Sequence, residues 1–446
     1  MPSMANPELP IPDGLVLRPF RGVRFAVDDL AGVTSPPYDL IDEAGVRKLL
    51  DTHPNNVVRL ILPGTDQQRY AEARETLHQW LSSGVLTADE TPAVYVYEQS
   101  GPGVLQRGII GDVGLAGPEL HIVLPHENVM PGPVADRLAL MSTTEANLEP
   151  IFLLYDGAGG ATTRLVDQIA ASRPPLVEAK TEDGVRHRLW AVTDTGELTS
   201  IDTDLRPRQA LIADGHHRYA TYLALQRQHR AATTGATTAA AEPEPWDFGL
   251  ALLVDSSAYP PDLKAIHRVI PELPLEEALA KAKGSWRVRE HADLPEGLAA
   301  LEETTGPAYL LSSGGLTHLL SDPDPDQLEY AMPSEHSARW RALNTSILAE
   351  FLLPKVWGMR DDEQSVRIVH HDPEAAVRLA RASGGTAVLL RPLAVDEVLA
   401  VAAQGERVPR KSTSFGPKPR TGLVLRLLTP TWTPPTNDPP YEKPDS

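Results

Sequence analysis

The chain contains no cysteine. That absence removes disulfides, thiolate zinc sites and thiol catalysis together, and it fits a reducing compartment, so a cytoplasmic location is expected. Aromatic residues make up only 5% of the 446 residues, so aliphatic Leu, Val and Ala must fill most of the core. No run approaches the roughly 18 apolar residues of a membrane-crossing helix. The longest, GLALLV within Asp247–Asp255, has the length of a buried strand. The opening MPSMANPELPIPDG lacks a basic n-region and an apolar h-region, so it does not read as a secretory signal. Basic residues are also in deficit, 41 against 60 Asp and Glu, for a formal charge of −19. Broad binding to DNA, RNA or anionic lipid rewards Lys and Arg. Nucleic acid and membrane are therefore not expected partners.

What is present is a chain with 41% hydrophobic residues, enough for real cores. Its 42 prolines are roughly twice the usual share of about 5%, which predicts many punctuated loops. Val16, Arg18, Phe20, Val23 and Phe25 read as extended structure ahead of a turn-rich Ser35–Asp39. Tyr70, Ala73, Leu77, Trp80 and Leu81 recur at helical spacing within Asp66–Ser83, and Thr65 with Gln68 has the pattern of a capping box. TPAVYVYEQ and VLQRGIIGDVGL alternate around Gly101–Pro102–Gly103, which predicts a hairpin. HENVMPGPVADRLALMSTTEANLEP reads as a loop leading into a short helix, and RQALIADGHHRYATYLALQRQ as strand, tight turn and helix. Ala231–Glu244 is of low complexity and reads as a flexible excursion. VDEVLAVAAQG predicts a helix closed by Gly405. Strands alternating with helices place the chain in a mixed α/β (α+β) class.

Three polar clusters carry chemistry. The first is Asp214-Gly215-His216-His217-Arg218, where Asp-Gly turns an apolar strand into a helix. Gly at a helix start lets backbone N–H groups approach an anion, and the helix dipole favours negative charge there. The plainer reading is an ordinary turn with a surface His pair. The second cluster is Lys411-Ser412-Thr413-Ser414-Phe415-Gly416-Pro417-Lys418, two ammoniums and three hydroxyls in one loop of an acidic chain. Arg410 stands where G-x-x-x-x-G-K-[ST] requires Gly, so the loop is not a Walker A motif; its plainer reading is a solvated basic turn. The third is His126-Glu127 followed by Asp136-Arg137 and Glu145. A carboxylate beside an imidazole can act as general base or hold Mg²⁺, although charged residues in a polar loop are commonly only solvated. No second His completes an H-E-x-x-H zinc helix. Gly157-Ala158-Gly159-Gly160 lacks the full dinucleotide fingerprint, and His370-His371-Asp372 reads as a capped turn.

Taken in order, RPFRG, SPPYDLI, NVVRL, YVYEQ, HENVMPGP…DR, NLEPIFLLY, IADGHHRYAT, HRVI and RKSTSFGPKPRTGLV resemble a widespread bacterial and archaeal family catalogued as a domain of unknown function. The resemblance runs from about Leu17 to Leu428. Val129 stands where the family often has Thr, and Arg410 replaces a Pro of its usual P-P-K-S-T. The DGHHR box with its helix also resembles the nucleotide-phosphate motif of the ParB/sulfiredoxin-like superfamily, whose free-serine kinases use a glutamate as base toward the serine hydroxyl. The resemblance implies a ParB-like core at 108–270 between an N-terminal α/β segment at 1–107 and a C-terminal α/β segment at 271–428, while the Pro-rich composition of 429–446 predicts a disordered tail. By that resemblance Asp214, Gly215, His216, His217 and Arg218 bind nucleotide phosphates, and Glu127, with His126 beside it, supplies the base. Lys411, Ser412, Thr413 and Lys418 join the nucleotide site as a cationic loop. The implied function is phosphotransfer from a nucleotide, ADP or ATP, to a small hydroxyl compound such as free serine, with Mg²⁺ held through nucleotide oxygens. The alternatives are a ParB-like nucleotide switch, or hydrolysis or reverse transfer on phosphoserine.

Overall fold

A computed structural model describes residues 12–233, 243–362 and 364–429. Its centre is a nine-stranded mixed sheet. In spatial order the strands are Val123–Leu124, Ala210–Asp214, Ile151–Tyr155, Phe248–Asp255, Val104–Gly114, Val94–Gly101, Arg186–Val192 and Val177–Lys180, and Leu17–Arg18 pairs with Val104–Gly114 off that path. Burial of both faces explains the uninterrupted apolar runs. Period-two alternation sends Phe152, Leu154, Leu250, Leu252 and Val254 into one core, and Ile151, Leu153, Ala251 and Leu253 into the other. Ala73, Leu77 and Trp80 of helix Arg69–Ser82 join the first core. Tyr219, Tyr222, Leu223 and Leu225 of helix His216–Thr233 join the second.

A second, wholly antiparallel sheet of six strands follows, in the order Arg287–His291, Thr317–Ser321, Tyr309–Ser312, Thr386–Leu389, Ile266–Ile270 and Arg367–His370. Its core of Val269, Leu310, Leu319 and Leu389 packs on Leu301, Ala376 and Ala380. A small sheet joins Leu86–Ala88, Gly22–Phe25, Leu425–Leu427 and Ala146–Asn147, so both ends of the described chain meet. The pair Asp262–Leu263 and Phe415–Gly416 ties the 411–418 loop to the segment just before Ile266–Ile270 of the second sheet.

The hairpin forms as expected, with Gly103 at φ 72° in its turn. Helix Val395–Ala403 ends as expected, with Gly405 at φ 77° just beyond it. Helix Arg69–Ser82 starts later than expected and without the Thr65–Gln68 box, because the Asp66 carboxylate accepts from the Gln68 amide at 2.8 Å instead. The helix after the His-Glu pair is not short: Pro131–Thr144 runs 14 residues, its prolines lying in the first turn where no N–H is needed. Two expected boundaries do not follow the sheets. Position 107/108 falls inside strand Val104–Gly114, and Ile266–Ile270 belongs to the six-stranded sheet rather than to the central one. Residues 234–242 of the low-complexity excursion and residues 430–446 of the expected tail lie outside the described residues.

Candidate functional site

Strands Val123–Leu124 and Ala210–Asp214 are parallel neighbours, in register Ala210 to Val123 and Leu211 to Leu124. Their carboxyl ends therefore release two loops side by side, the edge at which open α/β sheets place ligands. One loop carries His126 and Glu127; the other is the Gly215 turn. Gly215 sits at φ 94°, and a Cβ there would stand 2.9 Å from Ile151 Cγ2 and 3.2 Å from the Arg218 guanidinium. Only glycine suits that position. Helix His216–Thr233 starts at once, its first amides facing out of the turn with no carbonyl one turn earlier to bind.

The histidines of the box hold the neighbouring loop. His216 Nε2 accepts from the His126 amide at 3.2 Å, and His217 Nε2 accepts from the Met130 amide at 3.1 Å. An imidazole that accepts through Nε2 is neutral and carries its proton on Nδ1. Burial pushes His216 down to about 3, with the His217, Arg407 and Lys418 charges acting the same way. Burial and Lys411 also lower His217. Arg218 is 4% exposed. Its Nη1 donates to Pro150 O at 2.6 Å, and its Nη2 pairs with Asp214 Oδ2 at 2.6 Å. Burial opposes its charge, but Glu149 and Asp214 more than offset that and hold it protonated. These three side chains thus each bond a protein partner in this structure.

Glu127 is half-buried at the centre of a second network. Thr413 Oγ1 donates to Glu127 Oε1 at 3.0 Å and lies 2.8 Å from His126 Nε2. With Glu127 ionised, the hydroxyl proton goes to the carboxylate and His126 Nε2 donates to the hydroxyl. Nδ1 has no hydrogen-bond partner. Burial lowers His126 well below the usual imidazole range, with His216 and Arg407 adding to it, so the ring is neutral at pH 7. Burial raises the Glu127 carboxyl and Asp214 adds to the rise, while the Thr413 hydrogen bond, Lys411 and Lys418 pull the other way.

The 411–418 loop closes the site. Lys418 Nζ sits 2.5 Å from Asp214 Oδ1 and also pairs with Asp39. Lys411 adopts φ 51°, is exposed, and makes no ion pair among the described residues. Its charge is nevertheless felt at Glu127, His217 and His370. Arg268, 1% exposed, holds this turn by donating to the carbonyls of Arg410 and Lys411 at 3.1 and 2.9 Å. Burial pushes the Arg268 guanidinium down to about 10. Ser412 is buried and bonds Pro409 O at 2.7 Å, while Ser414 meets His371 Nε2 at 3.1 Å. As expected, His370 ends a strand and Asp372 caps the following helix through the Ala375 amide.

Four contributors were missed by sequence reasoning. Asp39, from the turn Tyr38–Leu40, reaches Lys418. Glu149 is buried, and its Oε1 accepts from the Tyr38 amide at 3.1 Å and from Thr421 Oγ1 at 2.9 Å. The Tyr38 ring lies under two guanidiniums, Arg137 at 4.7 Å and Arg218 at 5.9 Å. Arg268 is the fourth. An acid in NLEP just before an apolar strand, and an arginine inside IHRVI, were the available signals. Asp136 is held by Arg137, Arg69 and Tyr70, which makes it a structural anchor. Glu145 is an exposed left-handed helix cap at φ 48°.

Among the described residues no group of three or more His, Asp or Glu is arranged to hold a metal ion. Both Asp214 oxygens already meet cations. A divalent ion here would have to take most of its oxygens from a ligand. No helix among the described residues is long and apolar enough to cross a membrane.

Among solved structures, the chain is similar to a free serine kinase in complex with AMP at 14% identity, covering 69% of this chain and 87% of that one, with a TM-score of 0.33. It is similar to SbnI with a C-terminal truncation from Staphylococcus aureus at 12% identity, covering 71% and 87%, with a TM-score of 0.35. A conserved hypothetical protein from Pyrococcus furiosus matches at 14% identity, covering 69% and 90%, with a TM-score of 0.30. No curated protein matches the chain. The family model for the protein of unknown function DUF1015 matches residues 17–346, about three-quarters of the chain, and the protein belongs to that family.

Proposed function

We propose that the protein is a nucleotide-dependent phosphotransferase acting on a small hydroxyl compound such as free serine. The observation that carries this reading is the convergence of Glu127, the helix start at Gly215–His216 and the 411–418 loop, through His126, Thr413 and Lys418. Phosphoryl transfer asks little covalent chemistry of a protein; it asks for positioned cations, backbone donors and an in-line hydroxyl. The amides of the turn and the unpaired Lys411 supply donors and positive charge for the donor phosphates. Asp214 does not repel them, because Arg218 and Lys418 neutralise it. Glu127 is the base that takes the acceptor proton, and its raised carboxyl suits that task near neutral pH. Thr413 and the neutral His126 aim it. Mg²⁺ would enter on the nucleotide oxygens, with Asp39 as its nearest protein carboxylate, and would neutralise phosphate charge.

Incubating the protein with ADP or ATP and Mg²⁺ against a panel of small hydroxy acids, read by mass spectrometry, tests this. Phosphate appearing on one acceptor supports the proposal. Nucleotide hydrolysis with no transfer to any acceptor sinks it and favours a nucleotide switch.

A further inference from the structure

A cavity of about 540 Å³, within the size range of small-molecule sites, is lined by residues close in sequence to the Asp39–Lys418 pair. Leu40 and Ile41 follow Asp39, and Arg420 lies two residues after Lys418. Its walls are apolar where Pro36, Leu40, Ile41 and Leu49 face it. Leu40 is 60% exposed at this wall, a large apolar side chain spent on solvent unless something covers it.

The polar groups of the cavity are partly unspent. Arg420 is fixed by neutral acceptors, Thr34 Oγ1 at 2.6 Å and the carbonyls of Ala31 and Thr34 at 3.1 Å, with no carboxylate pair among the described residues. Lys180 lines the cavity and is likewise unpaired among them. Asp29 and Asp42 each cap a short helix through Oδ1, at 3.0 Å to the Gly32 amide and 2.7 Å to the Gly45 amide. The second oxygen of each remains available to hydroxyl groups.

We infer that this cavity holds the nucleoside of the phosphoryl donor, with the base against Leu40 and Ile41 and the ribose hydroxyls toward Asp29 or Asp42. This rests on the phosphotransferase reading. Contacts set the order: Leu40 of the cavity follows Asp39, Asp39 pairs with Lys418, Lys418 pairs with Asp214 at the helix start, and Glu127 feels both Lys418 and Asp214. The distal nucleoside therefore fits the cavity, and the reacting phosphate fits the end near the base. A small acceptor in the cavity would sit on the wrong side of the phosphate site.

Calorimetry with ADP and with tripolyphosphate, which has the phosphate chain but no nucleoside, separates the ideas. Leu40→Asn changes an exposed residue and adds no charge beside the Asp39–Lys418 pair, so the fold and the phosphate site are retained. It is expected to weaken ADP by about tenfold or more, the loss of one buried aliphatic contact, while tripolyphosphate affinity stays the same. Equal ADP affinity in the variant, or an equal loss for both ligands, overturns the cavity assignment. If the unaltered protein binds tripolyphosphate but not ADP, the cavity assignment fails and the phosphate site stands. If it binds neither, both fall.

Discussion

The amide of His126 donates to His216 Nε2 at 3.2 Å across 90 residues of sequence. This bond joins the loop that bears Glu127 to the start of the DGHHR helix, and it gives His216 a positioning role. It also sets the imidazole as a neutral acceptor, a state that burial already favours.

Replacing His216 with Ala leaves a buried amide without an acceptor. Such a loss costs about 1–3 kcal/mol, read as a lower midpoint in chemical denaturation. Faster amide exchange across residues 125–130 should accompany it. Unchanged stability and exchange would remove His216 as the clamp.

Arg218→Ala should destabilise the fold more strongly, by about 3–5 kcal/mol, because it removes the buried cation that faces Glu149 and Asp214 and leaves Pro150 O without its donor. Arg218→Lys should recover little of this, since one ammonium cannot reach both Pro150 O and Asp214 with the fork of a guanidinium. Full recovery by Lys would show that charge alone matters there.

The strand–turn–helix at Ala210–Thr233 was legible because Asp-Gly between an apolar run and a helical pattern has few other readings. The hairpin before it was legible for the same kind of reason. The meeting of His126, Asp214 and Lys411 was readable only through the order of motifs, since no local pattern brings together segments 88 to 285 residues apart. Glu149 and Arg268 were not legible as site-builders. Each looks like an ordinary residue beside an apolar strand, and its value lies in partners at Thr421 and at Arg410–Lys411. Spacing showed that His216, His217 and Arg218 start a helix, but not that their side chains bond other loops.

Folding stability should carry a histidine signature. Burial pushes His187 down to about 4 from its ordinary 6.5. Its contribution is fully present above pH 6.5 and is lost as pH falls toward 4, because only the unfolded chain takes up the proton there. His187→Gln should flatten the stability profile in that window by at most about 1.4 kcal/mol per pH unit, measured by urea unfolding at several pH values. Parallel profiles for the two proteins would contradict the shift.

Thr413→Val keeps shape but removes the hydroxyl that lowers Glu127. A base must be ionised to act, so the acid limb of kcat/KM should move to higher pH, and Thr413→Ser should restore it. An unmoved limb would disconnect Thr413 from the base.

The most direct test of the account is Glu127→Gln, assayed for phosphate transfer to the acceptor found by screening, alongside ADP affinity by calorimetry. The substitution keeps size and hydrogen bonding but removes basicity. The expected result is a fall in kcat of about 10²–10⁴-fold with ADP affinity nearly unchanged. A Gln variant with near-normal kcat would contradict the account.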